Sequence, residues 1–437
     1  MHPSEPIKIV ASPRSTRPEE PTVALQPLPP GMKHRFHAMV KPVGSMCNLD
    51  CTYCYYLHKE ELLGQPRQPR MSDEMLERHI RQYIEAQTGD DVVFSWQGGE
   101  PTILGLAFFQ QVVELQARYR KPGQRIQNDL QTNGTLLDEE WASFLKQQRF
   151  LVGLSCDGPQ RLHDLYRTTK GGTPTHEKVV AAARMLKKHG VPFNALCVVN
   201  RENAKFPLDV YRHLTRELGA KRVQLIACVE PKVFRDVAPQ HWEPAQLPVV
   251  GTPQAKPGAP DSVVTDWSVD PEDWGAFLCK VWDDWHSRDC GKVHVDLFET
   301  AVAQSLGLPS QRCVTAEFCG KALAVEHDGD VFSCDHYVYP EYRLGNLRET
   351  HWGEMAYVER QQAFGFAKRD TLPQYCRDCE HLKLCWGECP KNRLVRTPAG
   401  ELGLNYLCPG PKRFYAHIQR DMPQILRRVQ AGRRSHT

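Results

Sequence analysis

The stretch "CNLDCTYCYYLHKE" (47–60) places three cysteines, Cys47, Cys51 and Cys54, in one short loop. A structural zinc site takes four ligands and a disulfide takes two, so a set of three thiols leaves one position open. Three thiolates can hold three irons of a cubic [4Fe–4S] cluster and leave the fourth iron free for another ligand. A zinc site completed by His58, or simply three reduced thiols, are the alternatives.

Short apolar runs with the length of buried strands recur along the first half of the chain. They are "HAMVKPV" (37–43), "DVVFSW" (91–96), "RIQNDLQ" (125–131), "FLVGLS" (150–155), "FNALCVV" (193–199) and "RVQLIACV" (222–229). Helical patterns lie between them, and two of these have clear end signals, a Ser72 N-cap and a Gly190 stop. This α/β alternation predicts a parallel sheet that curls into a partial or full barrel of six strand–helix units. The cysteine loop follows the first strand, so it should lie at the barrel mouth where such folds place their chemistry.

Composition narrows the class of protein. Charged residues make up 24% of the 437 residues and the formal net charge is +3, which disfavours nucleic acid and anionic membranes as partners. The N-terminal stretch has no apolar core of signal-peptide length, and no later segment is apolar enough to span a membrane, so we expect a cytoplasmic protein. Sixteen cysteines in such a protein favour metal or redox chemistry over a disulfide framework.

Changes in composition suggest the domain boundaries. Residues 1–35 are rich in proline and predict a disordered extension, and 36–229 form the barrel. Residues 230–289 hold a proline-rich insert and a connecting helix, 290–425 a small cysteine-rich domain with helices, and 426–437 a tail. Within the small domain, "KALAVEHDGDVFSCDHY" (321–337) predicts a β-hairpin that turns at Asp328-Gly329.

The C-x3-C-x2-C loop after the first strand resembles the signature of radical S-adenosylmethionine (SAM) enzymes. In that family the amino and carboxylate groups of SAM chelate the open iron, so the resemblance makes SAM the missing fourth partner. "WQGGEPT" (96–102) after the second strand matches the family's GGE motif, which holds the methionine amino group. Taken alone, Gly98-Gly99-Glu100 is an ordinary tight turn that lets backbone approach a ligand.

The resemblance extends to "QTNGT" (131–135), "SCDG" (155–158) and "LYRTTKGG" (165–172). Asn133, Ser155 and Asp157 could each instead cap a turn. The resemblance places Tyr56 and Gln97 on the substrate side, and Ser155 and Arg167 at the ribose and carboxylate of SAM. The full set expected at SAM is Tyr53, Gln97, Gly98, Gly99, Glu100, Asn133, Ser155 and Arg167.

Eight cysteines in the C-terminal part of the chain form a second metal-binding pattern. Taken alone, their C-x2-C spacing also fits a pair of zinc ribbons. The pattern resembles the SPASM domain, which binds two auxiliary [4Fe–4S] clusters with interleaved ligands. The resemblance assigns one cluster to Cys313, Cys319, Cys334 and Cys389, and the other to Cys376, Cys379, Cys385 and Cys408. With the loop cluster, three [4Fe–4S] clusters and SAM are the expected cofactors.

"SCDHYVYPEYRLGNL" (333–347) and "WSVDPEDWGAFLCKVWDDWHSRDCGKVHV" (267–295) resemble the anaerobic sulfatase-maturating enzymes. That family converts a cysteine or serine in a C/S-x-P-x-R motif of a sulfatase to Cα-formylglycine, by 5′-deoxyadenosyl radical abstraction of a Cβ hydrogen. Asp335 matches the proposed catalytic base, and we expect burial to raise its pKa toward a range useful for proton removal. A turn-capping role for Asp335, with His336 or Tyr337 as the base, is the alternative.

The resemblance implies an unfolded or nascent sulfatase as substrate and an electron donor such as flavodoxin or ferredoxin. Two other functions remain open on the sequence. A SPASM maturase that crosslinks a ribosomal peptide would share every cluster ligand, whereas a zinc-stabilised binding protein would not bind SAM. Cysteine and serine targets are not distinguished by these motifs.

Overall fold

The structure, a computed structural model, describes residues 36–427. The proline-rich extension predicted for 1–35 and residues 428–437 of the predicted tail lie outside the described residues. Within the described range, ten strands form one sheet. They are β1 His37–Lys41, β2 Asp91–Trp96, β3 Arg125–Thr132, β4 Leu151–Ser155, β5 Phe193–Val199, β6 Arg222–Ala227, β7 His294–Val295, β8 Ala322–Glu326, β9 Asp330–Phe332 and β10 Arg343–Asn346.

The helices of the same range lie between and after these strands. They are α1 Lys59–Leu62, α2 Asp73–Ala86, α3 Leu106–Tyr119, α4 Glu139–Gln147, α5 Gln160–His163, α6 His176–His189, α7 Pro207–Arg212, α8 Pro271–Asp284, α9 Asp296–Ser305, α10 Trp352–Met355, α11 Glu359–Asp370, α12 Gln374–Arg377, α13 Leu382–Cys385 and α14 Pro409–Ile418. Two short π-helical turns, His213–Glu217 and Trp285–Asp289, follow α7 and α8.

The predicted α/β architecture with a parallel core is confirmed. The sheet runs in the order β10-β9-β8-β1-β2-β3-β4-β5-β6-β7, and β1 to β6 pair in parallel as successive neighbours. Each apolar run named from the sequence covers one of these six strands, except that β3 extends one residue further, to Thr132. Burial alternates along several of these strands, because one face packs more closely than the other. β5 alternates buried and half-buried residues from Phe193 to Val199, and β3 leaves Arg125, Gln127 and Gln131 exposed.

The C-terminal hairpin extends this sheet instead of standing apart from it. β8 pairs in parallel with β1 over five residue pairs, from His37–Ala322 to Lys41–Glu326. The predicted hairpin is confirmed, since β9 pairs antiparallel with β8 across the turn that holds Asp328-Gly329. The barrel and the cysteine-rich segment therefore share one backbone ladder.

Helix ends follow the local signals in the sequence. The Ser72 hydroxyl accepts a hydrogen bond from the backbone N–H of Met75 at 3.2 Å, so α2 begins where the N-cap predicts. α6 ends at Gly190, which adopts the left-handed conformation with φ of 67°. Both helices bury one apolar face against the sheet.

The carboxyl ends of β1 to β4 meet at one edge of the sheet, as parallel strands require. The cysteine loop follows β1, the Gly98-Gly99-Glu100 turn follows β2, Asn133 follows β3 and Ser155 ends β4. The topology therefore gathers these segments on one side of the molecule. In the described part of the chain, every helix is too short or too polar to cross a bilayer.

Trp352 joins the C-terminal segment to the barrel. Its ring is fully buried, lies 5.4 Å from Phe36 and donates a hydrogen bond to His79 Nδ1 at 3.0 Å. We expect Trp352→Ala to lower the free energy of unfolding by about 3 to 5 kcal/mol, because the cavity is large and His79 loses its partner. Anaerobic chemical denaturation measures this change. Leu402→Ala, at a side chain that is 40% exposed, is the control, and an unchanged midpoint for Trp352→Ala would contradict the expected coupling.

Candidate functional site

The Gly98-Gly99-Glu100 turn holds the start of the cysteine loop through its backbone. Gly99 N–H donates to Gly44 O at 2.9 Å, and Glu100 N–H donates to Met46 O at 2.9 Å. A Cβ atom on Gly99 would lie 1.9 Å from Met46 O, so only glycine allows this approach. The two glycines therefore serve the packing of the cysteine loop.

The Glu100 carboxylate ties this turn to the end of β3. It accepts hydrogen bonds from the backbone and hydroxyl of Thr102, from the Thr132 hydroxyl at 2.8 Å and from Asn133 N–H at 2.7 Å. Burial raises the pKa of Glu100, although these donors oppose the shift. The Asn133 side chain continues the network by donating to Asn48 Oδ1 at 2.9 Å, inside the cysteine loop.

The three loop thiols are held in an environment that strongly disfavours free thiolates. Burial raises the pKa of Cys47 to about 11 and that of Cys51 to about 12, and the thiols of the trio raise one another's pKa further. The positive charge of Arg167 opposes this rise at both thiols. A cationic metal centre is what such a converging set of thiols would need in order to ionise.

Arg167, Tyr53 and Asp157 form a buried chain beside the thiols. Arg167 Nη1 donates to the Tyr53 hydroxyl at 2.8 Å, and that hydroxyl donates to Asp157 Oδ2. Asp157 Oδ1 accepts from Val198 N–H at 3.0 Å, which anchors the chain to β5. Arg167 Nε is buried and has no hydrogen-bond partner anywhere in residues 36–427. This unused donor beside the thiols fits an anionic group such as the carboxylate of SAM.

The predicted residues separate into two groups around the cysteine loop. Glu100, Asn133, Tyr53 and Arg167 lie around its thiols. Ser155 is buried at the end of β4, two residues before Asp157. Gln97 follows β2, where its N–H donates to Val40 O at 2.9 Å.

Tyr56 lies on the side of the loop that faces β8. Its hydroxyl donates to Glu326 Oε1, and Lys41 Nζ lies 4.5 Å from the centre of its ring. Lys41 also forms an ion pair with Asp335 and so brings Tyr56 and Asp335 together.

The expected rise in the pKa of Asp335 is wrong. The carboxylate pairs with buried Lys41 through Oδ1 and accepts a hydrogen bond from the Tyr55 hydroxyl at 2.5 Å through Oδ2. Burial alone would raise its pKa, but the charge of Lys41 and the hydrogen bonds of Asp335 outweigh burial, so the pKa is lowered. Asp335 is thus held as a carboxylate, ion-paired with Lys41 through Oδ1 and hydrogen-bonded to Tyr55 through Oδ2.

His336 and Tyr337, the alternative candidates for the catalytic base, differ in their protonation. Burial lowers the pKa of His336 to about 4, so its imidazole is neutral near neutral pH and is a weak base there. Burial raises the pKa of Tyr337 well above its ordinary value, so its hydroxyl stays protonated.

The eight C-terminal cysteines fall into two groups in space. Burial and then the neighbouring Cys389 and Cys313 thiols raise the pKa of Cys319 to about 12, and the same two neighbours act on Cys334. Cys376 and Cys379 act likewise on Cys408. The second group lines an apolar pocket with Cys376, Cys379, Cys385 and Cys408 in its wall. The structure thus brings together the same sets that the resemblance assigns to two clusters.

A buried lysine organises the first of these groups. Lys368 on α11 donates to the carbonyl oxygens of Cys313 at 2.5 Å and Val314 at 2.8 Å, and its charge favours the thiolates of Cys319 and Cys389. Between Cys385 and Cys389, the residues Trp386, Gly387 and Glu388 all have positive φ, which curls the backbone tightly.

The proline-rich insert forms one wall of a pocket next to Asp335. Phe234, Val237 and Pro239 of the insert face Tyr55 and His336 across it. Glu230 and Lys391 pair at 2.6 Å in the same wall. The insert therefore lines a cavity that contains His336, the residue after Asp335.

Lys41, Tyr55 and Lys368 were missed from the sequence. Lys41 could have been predicted as a site residue, because a buried lysine at the carboxyl end of a strand needs an anionic partner nearby. Tyr55 and Lys368 carried none, since their partners lie far away in the chain.

Comparison with known proteins gives the family. The sequence model of the radical SAM superfamily matches residues 42–214. The sequence model of SPASM, an iron-sulfur cluster-binding domain, matches residues 313–380. These matches indicate [4Fe–4S] clusters and SAM as cofactors, which the thiol sets and the free Arg167 donor fit.

The chain is 44% identical over 382 residues to the serine-type anaerobic sulfatase-maturating enzyme of Bacteroides thetaiotaomicron, covering 87% of this chain and 89% of that one. It is 32% identical over 381 residues to the cysteine-type enzyme of Clostridium perfringens, covering 87% and 95%. The fold matches the solved structure of native anSMEcpe with bound AdoMet and Cp18Cys peptide, with a TM-score of 0.76, 32% identity and coverage of 90% and 99%. This chain therefore belongs to the anaerobic sulfatase-maturating enzymes of the radical SAM superfamily.

Proposed function

We propose that this chain oxidises a serine or cysteine in a C/S-x-P-x-R motif of a client sulfatase to Cα-formylglycine, and that serine is its preferred target. The 44% identity to a serine-type enzyme over most of both chains carries this proposal. The peptide bound in the related solved structure supports a polypeptide as substrate.

Different groups of the site carry out hydrogen abstraction, proton acceptance and electron acceptance. When bound, the loop cluster and SAM would supply the one-electron chemistry that removes a hydrogen atom from the target Cβ. Asp335 accepts the proton of the target hydroxyl or thiol, held in place by Lys41 and the Tyr55 hydroxyl. When bound, the auxiliary clusters would accept the remaining electron, so serine would lose two hydrogens in all and become the aldehyde. The same loss from cysteine would give a thioaldehyde, which water hydrolyses to the aldehyde with release of hydrogen sulfide.

The cofactor positions are part of the proposal. Cys47, Cys51 and Cys54 hold the loop cluster, and Cys313, Cys319, Cys334 and Cys389 hold one auxiliary cluster while Cys376, Cys379, Cys385 and Cys408 hold the other. SAM contacts Tyr53, Gln97, Gly98, Gly99, Glu100, Asn133, Ser155 and Arg167. The buried unpaired Arg167 Nε supports a carboxylate-binding role for that residue.

The substrate side combines Tyr56 and Gln97 with the pocket that the insert shares with Tyr55 and His336. An unfolded or nascent sulfatase is the proposed client, a flavodoxin or ferredoxin the electron donor, and the cytoplasm the location. The proposed division of the chain is 1–35, 36–229, 230–289, 290–425 and 426–437. The two family-model matches, within 36–229 and 290–425, support it.

Two short peptides that differ only at the target residue test the activity. The anaerobically reconstituted protein is incubated with SAM, a strong reductant and a peptide carrying either S-x-P-x-R or C-x-P-x-R. We expect both to give the same aldehyde mass, with the serine peptide converted faster. Deoxyadenosine without aldehyde would reject sulfatase maturation, and faster conversion of the cysteine peptide would reject the serine preference.

Gly99→Ala tests the support of the cysteine loop. The new Cβ would meet Met46 O at 1.9 Å, so we expect the loop to move and the reconstituted protein to lose the iron of one cluster. SAM cleavage should be lost as well, while the auxiliary clusters keep their iron. Gly171→Ala is the matched control, since the nearest atom to its Cβ would be Thr169 Oγ1 at 3.9 Å. Full iron content in Gly99→Ala would show that the loop tolerates the change.

Asp335→Asn tests the proton acceptor. An amide cannot take the target proton, so we expect formylglycine formation to fall about 100-fold or more while deoxyadenosine still forms. The exposed Asp328→Asn, on the nearby hairpin turn, should keep wild-type activity. Wild-type product formation by Asp335→Asn would remove Asp335 from the base role and direct attention to His336.

A further inference from the structure

A cluster of three metal-ligating side chains lies behind the SAM side of the sheet, separate from the eleven cluster cysteines. Cys156 follows β4, His176 is the first residue of α6 and His213 begins the π-helical turn after α7. All three are buried, and their ligand atoms lie within 4.8 Å of one another. Three segments distant in sequence thus converge on one point in the interior.

The spacing of the ligand atoms matches a small metal ion. His176 Nε2 and His213 Nε2 are 3.1 Å apart, with their rings inclined at 42°. Zinc–nitrogen bonds of about 2.0 to 2.1 Å in a tetrahedral site place two nitrogens about 3.4 Å apart. A small opening of the histidine pair is enough to admit the ion.

The residues around the histidines orient them toward the same point. His213 Nδ1 lies 2.9 Å from Glu217 Oε2, the arrangement in which a carboxylate fixes the tautomer of a metal-binding histidine and leaves Nε2 free to coordinate. Asp164 Oδ1 accepts the N–H groups of Thr175 at 2.8 Å and His176 at 2.9 Å and so fixes the start of α6. Asp164 Oδ2 is buried and unpaired within the described residues, which leaves a further oxygen nearby.

The protonation of the two histidines suits coordination. Burial lowers the pKa of His176 and His213, so both imidazoles are neutral near neutral pH. Burial raises the pKa of Cys156 to about 12, and its thiol lies 3.6 Å from Gly158 O. A bound metal ion displaces the proton of such a thiol and compensates the buried charge.

We propose that Cys156, His176 and His213 supply three of the four ligands of a zinc site, with a water molecule in the fourth position. One thiolate and two imidazoles are a ligand set that zinc favours over calcium or magnesium. The ion would fasten the end of β4 to α6 and to the turn after α7. Because Cys156 lies between Ser155 and Asp157, zinc at this point would hold in place the segment that carries the Tyr53–Asp157–Arg167 chain.

Metal analysis of the holoenzyme tests the site without relying on activity. Protein from zinc-supplemented cells is reconstituted to full iron content, and zinc and iron are measured together. We expect one zinc per chain, with X-ray absorption showing two nitrogen neighbours and one sulfur neighbour, the sulfur at about 2.3 Å. A wild-type protein with full iron and no zinc, or zinc with sulfur neighbours alone, would overturn the proposal.

Variants separate this site from zinc trapped by cluster cysteines. Cys156→Ala and His213→Phe should lose the zinc and keep the iron, whereas Cys279→Ala, at another buried cysteine, should keep both. Zinc retained by Cys156→Ala and His213→Phe would count against the site.

Glu217→Gln tests the site without changing the core. The Glu217 side chain is 72% exposed, so its substitution should leave folding intact even if the buried variants fail to fold. We expect it to weaken zinc binding about 10- to 100-fold, measured by competition with a chromophoric chelator. Unchanged zinc affinity in Glu217→Gln would contradict the proposed orientation of His213.

Discussion

The backbone pairing between the cysteine loop and the Gly98-Gly99-Glu100 turn is the contact on which the candidate site depends. Two N–H groups of the turn donate to carbonyls on either side of Ser45, and this fixes the path of the chain just before Cys47. The Glu100 carboxylate accepts hydrogen bonds from Thr132 and Asn133, and these bonds link the turn to the end of β3. Because buried backbone groups must be hydrogen-bonded, a shift of any one segment would leave the others unsatisfied.

Three buried carboxylates around the mouth have a cationic partner. Asp335 pairs with Lys41, Glu230 with Lys391, and Asp157 meets Arg167 through the Tyr53 hydroxyl. Taking each pair out of water costs about as much as the mutual attraction returns, so these pairs contribute little to stability. Their value here is orientation, since each one holds a functional atom in a fixed direction. The lowered pKa of Asp335 is a consequence of its pairing with Lys41.

Much of this architecture could be predicted from local sequence, because buried parallel strands and helix caps leave short-range signals. The six apolar runs, the Ser72 and Gly190 helix ends and the hairpin at Asp328-Gly329 are of this kind. The pairing of β8 with β1 and the ion pair of Lys41 with Asp335 depend on contacts between remote segments, and no local pattern encodes them. The pKa of Asp335 was mispredicted for that reason, since the sequence indicates burial but does not reveal the neighbouring cation.

The place of β8 beside β1 also bears on how the chain is made. β1 emerges early from the ribosome, whereas the strand that covers its outer edge is synthesised after most of the described chain. Until then β1 presents unpaired N–H and C=O groups, a surface open to pairing with another chain. Closing so long a loop is slow, and a nascent chain that stalls before β8 would carry an exposed, aggregation-prone edge. Biosynthesis of this protein should therefore depend on chaperones until its last strands are complete.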